Sequence, residues 1–248
     1  SSDVCSSDLK SKKTIVFQSP TGSGKTFMMS AFIEELIASC GDIDLCFLWI
    51  SIGSGKLHEQ SYRSLKKEFG YFPEVHLLEN EFFGSKEAIE KNEVVVVNWD
   101  KLKQKDNKTG EWKNSLMKDS ETYNFRDVLK NTREEDKKIV LIIDESHTNS
   151  TSERALELRD EIIKADLTIE MSATPVIGDF DERVKVSPED VIEEGMIKKE
   201  IIVNDGLDRF DDDEASSEAM ILKAAYSKRH ELARLYKENG INVNPLAL

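Results

Sequence analysis

Eight residues near the start of the chain, Ser19-Pro20-Thr21-Gly22-Ser23-Gly24-Lys25-Thr26, have the composition and spacing of a loop that wraps its backbone around phosphate. Glycines let amide N–H groups turn inward, and a helix opening at such a loop adds the positive end of its dipole. Thr21, Gly22, Ser23 and Gly24 form the cradle, Lys25 is the cation for the β and γ phosphates, and the Thr26 hydroxyl is a ligand for Mg2+. Ser19 stands where the strict pattern has glycine, one small residue for another.

Two later motifs fit that chemistry. The apolar run Ile139-Val140-Leu141-Ile142-Ile143 leads directly into Asp144-Glu145-Ser146-His147, so two carboxylates emerge at the end of a buried strand. Asp144 is expected to hold Mg2+ through water and Glu145 to polarise the attacking water as general base, with His147 on the nucleotide side. Ser172-Ala173-Thr174 closes the following strand, where the small hydroxyl residues Ser172 and Thr174 can sense the state of the terminal phosphate and pass it on. Gly53-Ser54-Gly55-Lys56 looks like a second phosphate loop, but Leu57 takes the place of the metal-binding Ser or Thr. That leaves two readings: a tight turn, or Ser54, Gly55 and Lys56 touching a nucleic-acid phosphate.

These residues need strand ends and helix starts to hold them. Apolar runs at Thr14 to Phe17, Leu45 to Ile50, Val75 to Leu78, Val94 to Val97, Ile139 to Ile143 and Leu167 to Glu170 are continuous rather than alternating, the pattern of strands covered on both faces. Helical patterns fall between them, through Met29, Phe32, Ile33, Leu36 and Ile37, then Tyr62, Leu65 and Phe69, then Phe125 to Leu129 and Arg154 to Ile163. The alternation predicts an α/β fold with a mainly parallel sheet and helices on both faces. Residues 103–120, rich in Lys, Asn, Asp and Gly, read as an exposed insertion. Ser187-Pro188 and Gly195 bracket a short helix, a strand from Lys199 to Val203 leads out of the core, and Ser216 to Asn239 reads as a long amphipathic helix stopped by Gly240.

The chain has 248 residues, 39% of them hydrophobic, enough for one large core. Its net charge of −14 opposes docking on nucleic acid, although the acid gathers in Asp205, Asp208, Asp211, Asp212, Asp213 and Glu214 while Lys101, Lys103, Lys105 and Lys108 cluster mid-chain. Three cysteines without metal-ligand spacing suggest reduced thiols, and no apolar stretch suits a membrane span, so a cytoplasmic location is expected. Residues 1–9 have no apolar period and read as a non-native scar, and residues 241–248 read as the truncated start of a further domain. The expected organisation is 10–204 as the nucleotide-binding domain and 205–240 as an acidic turn and connecting helix.

The phosphate loop, Asp144-Glu145-Ser146-His147 and Ser172-Ala173-Thr174-Pro175, in that order, resemble motifs I, II and III of superfamily 2 helicases of DEAD/DEAH type. The stretches from Trp49 to Gln60 and from Val97 to Leu102, and Ser187 to Gly195, resemble the restriction (Res) subunit of type III restriction enzymes. The resemblance implies a RecA-like P-loop NTPase domain, ATP as substrate with Mg2+, double-stranded DNA as track, and a modification methyltransferase subunit as partner. It places Asn98 and Trp99, with Ser54, Gly55 and Lys56, on the DNA side. It also puts the arginine finger in a second motor domain and the nuclease beyond that, so the chain alone is expected to hydrolyse ATP slowly. Two other functions are compatible with the motifs: a stand-alone DNA or RNA helicase without nuclease, and an ATP-gated binding module that does not translocate. A small-molecule kinase fits poorly, because it gives no reason for Asp-Glu-x-His followed by Ser-Ala-Thr-Pro.

Overall fold

The computed structural model describes residues 12–51, 56–78, 86–102, 108–110, 124–144, 153–175, 179–196, 217–241 and 243–245. The chain divides into two compact units, Ser1–Ile197 and Lys198–Leu248. The strand expected at Lys199 to Val203, the acidic run of residues 205–214 and most of the 103–120 insertion lie outside the described residues.

The first unit is an α/β domain of RecA-like architecture. Strands β1 (Lys13–Gln18), β2 (Leu45–Ser51), β3 (Val75–Leu77), β4 (Val94–Asn98), β5 (Lys138–Asp144), β6 (Leu167–Ser172) and β7 (Glu182–Lys185) form one sheet. Their order is β3-β4-β2-β5-β6-β1-β7, and every pairing is parallel. The helices are α1 (Lys25–Ser39), α2 (Leu57–Phe69), α3 (Trp99–Leu102), α4 (Phe125–Glu134), α5 (Glu153–Leu156), which continues as a π-helix over Glu157–Ile163, and α6 (Pro188–Glu193).

The unbroken apolar strands follow from two cores, one on each face. Alternate residues of β2 separate into them: Cys46, Leu48 and Ile50 pack with Val95, Val97, Phe125 and Leu129, whereas Leu45, Phe47 and Trp49 pack with Ile33, Leu65 and Phe69. Each such side chain contributes about 1.5–3 kcal/mol when removed fully from water, so the central strands β2 and β5 anchor the domain. Cys46 is a free buried thiol.

Helix ends are set by local chemistry. Asn124 caps α4 by accepting from the amides of Arg126 at 3.0 Å and Asp127 at 3.1 Å, while the Asp127 carboxylate accepts from the Asn124 amide at 3.3 Å, a complete capping box. Ser187 accepts from the Asp190 amide at 3.1 Å to start α6, as the Ser-Pro pair predicts. Two elements differ from expectation. Strand β7, sequence Glu-Arg-Val-Lys, is exposed throughout and pairs only with β1, so it needs no apolar run. The helix over Arg154 to Ile163 is one α-helical turn followed by π-helix, ended at Lys164 in left-handed backbone with its amide bonded to the Arg159 carbonyl.

The second unit contains α7 (Ser217–Glu238). It stops at Gly240, φ 70°, with the Ile241 amide bonded to the Tyr236 carbonyl and the Gly240 amide to Lys237. Among the described residues no helix is long and apolar enough to cross a membrane.

Candidate nucleotide site

Strand β1 ends at Gln18 and α1 begins at Lys25, so the phosphate loop spans a strand end and a helix start at the C-terminal edge of the sheet. Gly22 and Gly24 take φ values of 83° and 78°, left-handed backbone in which a side chain is strained, and a Cβ on Gly24 would lie 3.4 Å from the Met196 terminal methyl. The Ser23 amide bonds to the Pro20 carbonyl at 3.2 Å, closing a turn, and the Met28 amide bonds to the Gly24 carbonyl at 3.0 Å, starting the helix. No side chain caps α1, which leaves its first-turn amides for an anion.

A cleft of 420 Å³ opens above this loop, bounded by Thr21, Gly22, Gly24, Lys25 and Thr26. Asp144 and Ser51 also line it; they are partners in the β2–β5 register and both end their strands. The parallel register explains the convergence: Asp144 pairs with Met171 of β6, and Ser172 pairs with Gln18 of β1, so loop, carboxylate and hydroxyl triplet leave the sheet on one edge. Lys25 is largely buried and Thr26 partly so.

The predicted residues are not all placed alike. Thr21, Gly22, Gly24, Lys25, Thr26 and Asp144 share the cleft. Ser23 does not line it: its hydroxyl faces Ser19, fully buried, 2.5 Å away. Ser172 accepts from the Thr174 amide at 3.1 Å through its hydroxyl and from the Ser19 amide at 3.2 Å through its carbonyl, so the hydroxyl triplet is bonded to the phosphate loop. Gln18 strengthens that link by donating from its side chain to the Ala173 carbonyl at 3.0 Å. Glu145, His147, Ser54 and Gly55 lie outside the described residues.

Of the residues expected on the DNA side, Lys56 is exposed at the start of α2 and pairs with Glu59 at 3.1 Å. Hydrogen bonding to Lys56 holds the Glu59 carboxyl below its ordinary range. Asn98 spends its side chain within the protein, accepting from the Asp100 amide at 2.8 Å and meeting His58 Nδ1 at 3.2 Å. Trp99 is corrected: it is 1% exposed and belongs to the core with Leu102 and Phe125, so its indole has no face to offer DNA.

Sequence reasoning missed the fourth wall. Leu57, Gln60, Ser61 and Ser64 of α2 also line the cleft. The signal was present as polar residues at helical spacing on a helix that covers the sheet. A separate cluster, Glu74, His76 and Glu93, lies at the opposite edge of the sheet, where the buried Glu93 carboxylate meets both His76 and Lys86 and is neutralised internally.

A family model described as type III restriction enzyme, res subunit, matches residues 3–177, which span the phosphate loop, Asp144 and Ser172 to Thr174. No curated protein matches the chain.

Proposed function

Because this chain belongs to the family of type III restriction enzyme Res subunits, helicase-like ATPase motors, we propose that it is the ATP-binding half of a DNA translocase that hydrolyses ATP with Mg2+. The observation carrying this reading is the convergence of Lys25, Thr26 and Asp144 on one cleft at the C-terminal edge of a parallel sheet.

The residues fit both substrate and metal. Left-handed glycines and uncapped α1 amides form a cradle for phosphates, and Lys25 supplies a cation there. Thr26 and Asp144 would supply a hydroxyl and a carboxylate to Mg2+, which would neutralise phosphate charge when bound. Glu145, next along the chain from Asp144, is proposed as the base that takes a proton from the attacking water. His147 is assigned to the nucleotide side.

Ser172 and Thr174 are proposed to couple phosphate state to a neighbouring domain, supported by the bonds from Ser172 to Ser19 and Thr174. Lys56, with Ser54 and Gly55 before it, is proposed to meet a phosphate of double-stranded DNA, and Asn98 to brace that side through His58 and the start of α3. A modification methyltransferase subunit is the proposed partner. Residues 10–204 are assigned to the ATP-binding domain and 205–240 to its connecting segment. The net charge of −14 favours the second reading, an ATP-gated binding module; stimulation of ATP turnover by double-stranded DNA separates the two.

The first test is equilibrium binding of Mg–ATP. The wild-type chain is expected to bind, and Lys25→Ala to bind at least ~10-fold more weakly after losing a charge-assisted contact. Equal affinity in the two proteins would overturn the phosphate-loop assignment.

A further inference from the structure

Helix α2 forms a wall of the cleft that the phosphate-loop chemistry does not use. Leu57, Gln60, Ser61 and Ser64 recur at steps of three, one and three, so they share one face of the helix. A helix lying on a sheet places apolar residues inward, and α2 does so with Leu65 and Phe69. Toward the cleft it changes to an amide and two hydroxyls.

The face is fixed in position. The Ser61 hydroxyl lies 3.0 Å from that of Ser51, both residues are buried, and Ser51 is the register partner of Asp144. Gln60 and Ser64 therefore share the cleft with Lys25 and Thr26, on a helix tied through Ser61 to the strand that neighbours the carboxylate. Among the described residues neither the Gln60 carboxamide nor the Ser64 hydroxyl has a hydrogen-bond partner in the protein, and both open onto the cleft. Such side chains are free to donate to an anionic ligand.

We propose that Gln60 and Ser64 form a subsite for the terminal phosphate of the bound nucleoside triphosphate, donating N–H and O–H to its oxygens. The inference rests on the nucleotide reading above and extends it to residues on α2. Neutral donors suit this place, because they bind phosphate oxygens without competing with Lys25 for charge. Lys56 is the N-cap of the same helix, about one turn before Gln60, so a displacement of α2 on DNA contact would move the subsite with it.

The test compares two ligands in Mg2+, ADP and a non-hydrolysable ATP analogue, on the wild-type chain and on Gln60→Ala, Gln60→Glu and Ser64→Ala. Gln60→Ala is expected to weaken the triphosphate analogue about 10-fold while ADP affinity stays within about twofold, the cost of one hydrogen bond to a charged group. Gln60→Glu should weaken the analogue further, by placing a like charge beside it, and Ser64→Ala should act in the same direction as Gln60→Ala. Equal loss for both ligands, or no loss in Gln60→Ala and Ser64→Ala, overturns the subsite. A wild-type chain that binds neither ligand overturns the nucleotide reading itself.

Discussion

Ser19 and Ser23, the first and fifth residues of the phosphate loop, hold their hydroxyl oxygens 2.5 Å apart with both side chains fully buried. The pair forms a strut beneath the loop, and the Ser19 amide ties the same point to the Ser172 carbonyl at the end of β6. A serine where the general pattern has glycine is therefore matched to a second serine four residues on.

Ser19→Gly restores the general pattern but should damage this loop. It leaves the Ser23 hydroxyl buried without its partner, at a cost of about 1–3 kcal/mol, and it loosens the backbone that shapes the cradle. Urea denaturation should show the loss of stability, and Mg–ATP affinity should fall. A variant as stable as wild type would mean that the strut contributes nothing.

Asp144→Asn should separate metal from nucleotide. The side chain keeps its size and its place opposite Ser51, but loses the charge proposed to hold Mg2+. Nucleotide binding without metal should be unchanged, while the gain in affinity on titrating Mg2+ should shrink about 10-fold or more. An undiminished Mg2+ effect would remove Asp144 from the metal site.

What was legible in the sequence was what the chain encodes locally. Continuous apolar runs announced strands covered on both faces, and β2 shows why, since its odd and even residues enter different cores. The phosphate loop was readable because left-handed backbone at Gly22 and Gly24 demands glycine. Strand β7 was not, because an exposed edge strand pairing through its backbone needs no apolar side chain. The π-helix was not, because apolar periodicity does not distinguish an i+5 register from an α-helical one over seven residues. Gln60 and Ser64 look like solvent-facing positions until the parallel register brings β2, and the helix after it, beside the carboxylate strand.

Trp99→Ala should act on stability rather than on DNA. The indole is buried among Leu102, Phe125 and their neighbours, so its removal leaves a large cavity costing about 3–5 kcal/mol. Trp99→Phe should cost much less, since the indole N–H it deletes has no hydrogen-bond partner among the described residues. Weaker DNA binding by Trp99→Ala at unchanged stability would restore the surface role that burial denies it.

Cys46 makes stability depend on alkaline pH. Burial pushes its thiol from 9.0 up to about 12, because the thiolate would sit in the core with its sulfur 3.4 Å from the Lys138 carbonyl oxygen. In the unfolded chain the thiol gives up its proton near pH 9 while the folded chain retains it. The unfolded state thus binds fewer protons between pH 9 and about 12, and stability falls across that window by up to about 1.4 kcal/mol per pH unit. Below pH 9 the contribution is fully present. Urea midpoints measured from pH 8 to 10.5 should fall more steeply for wild type than for Cys46→Ala, in which lysines and tyrosines still titrate but the thiol does not. Parallel slopes in the two proteins would show that the thiolate is accommodated in the folded core.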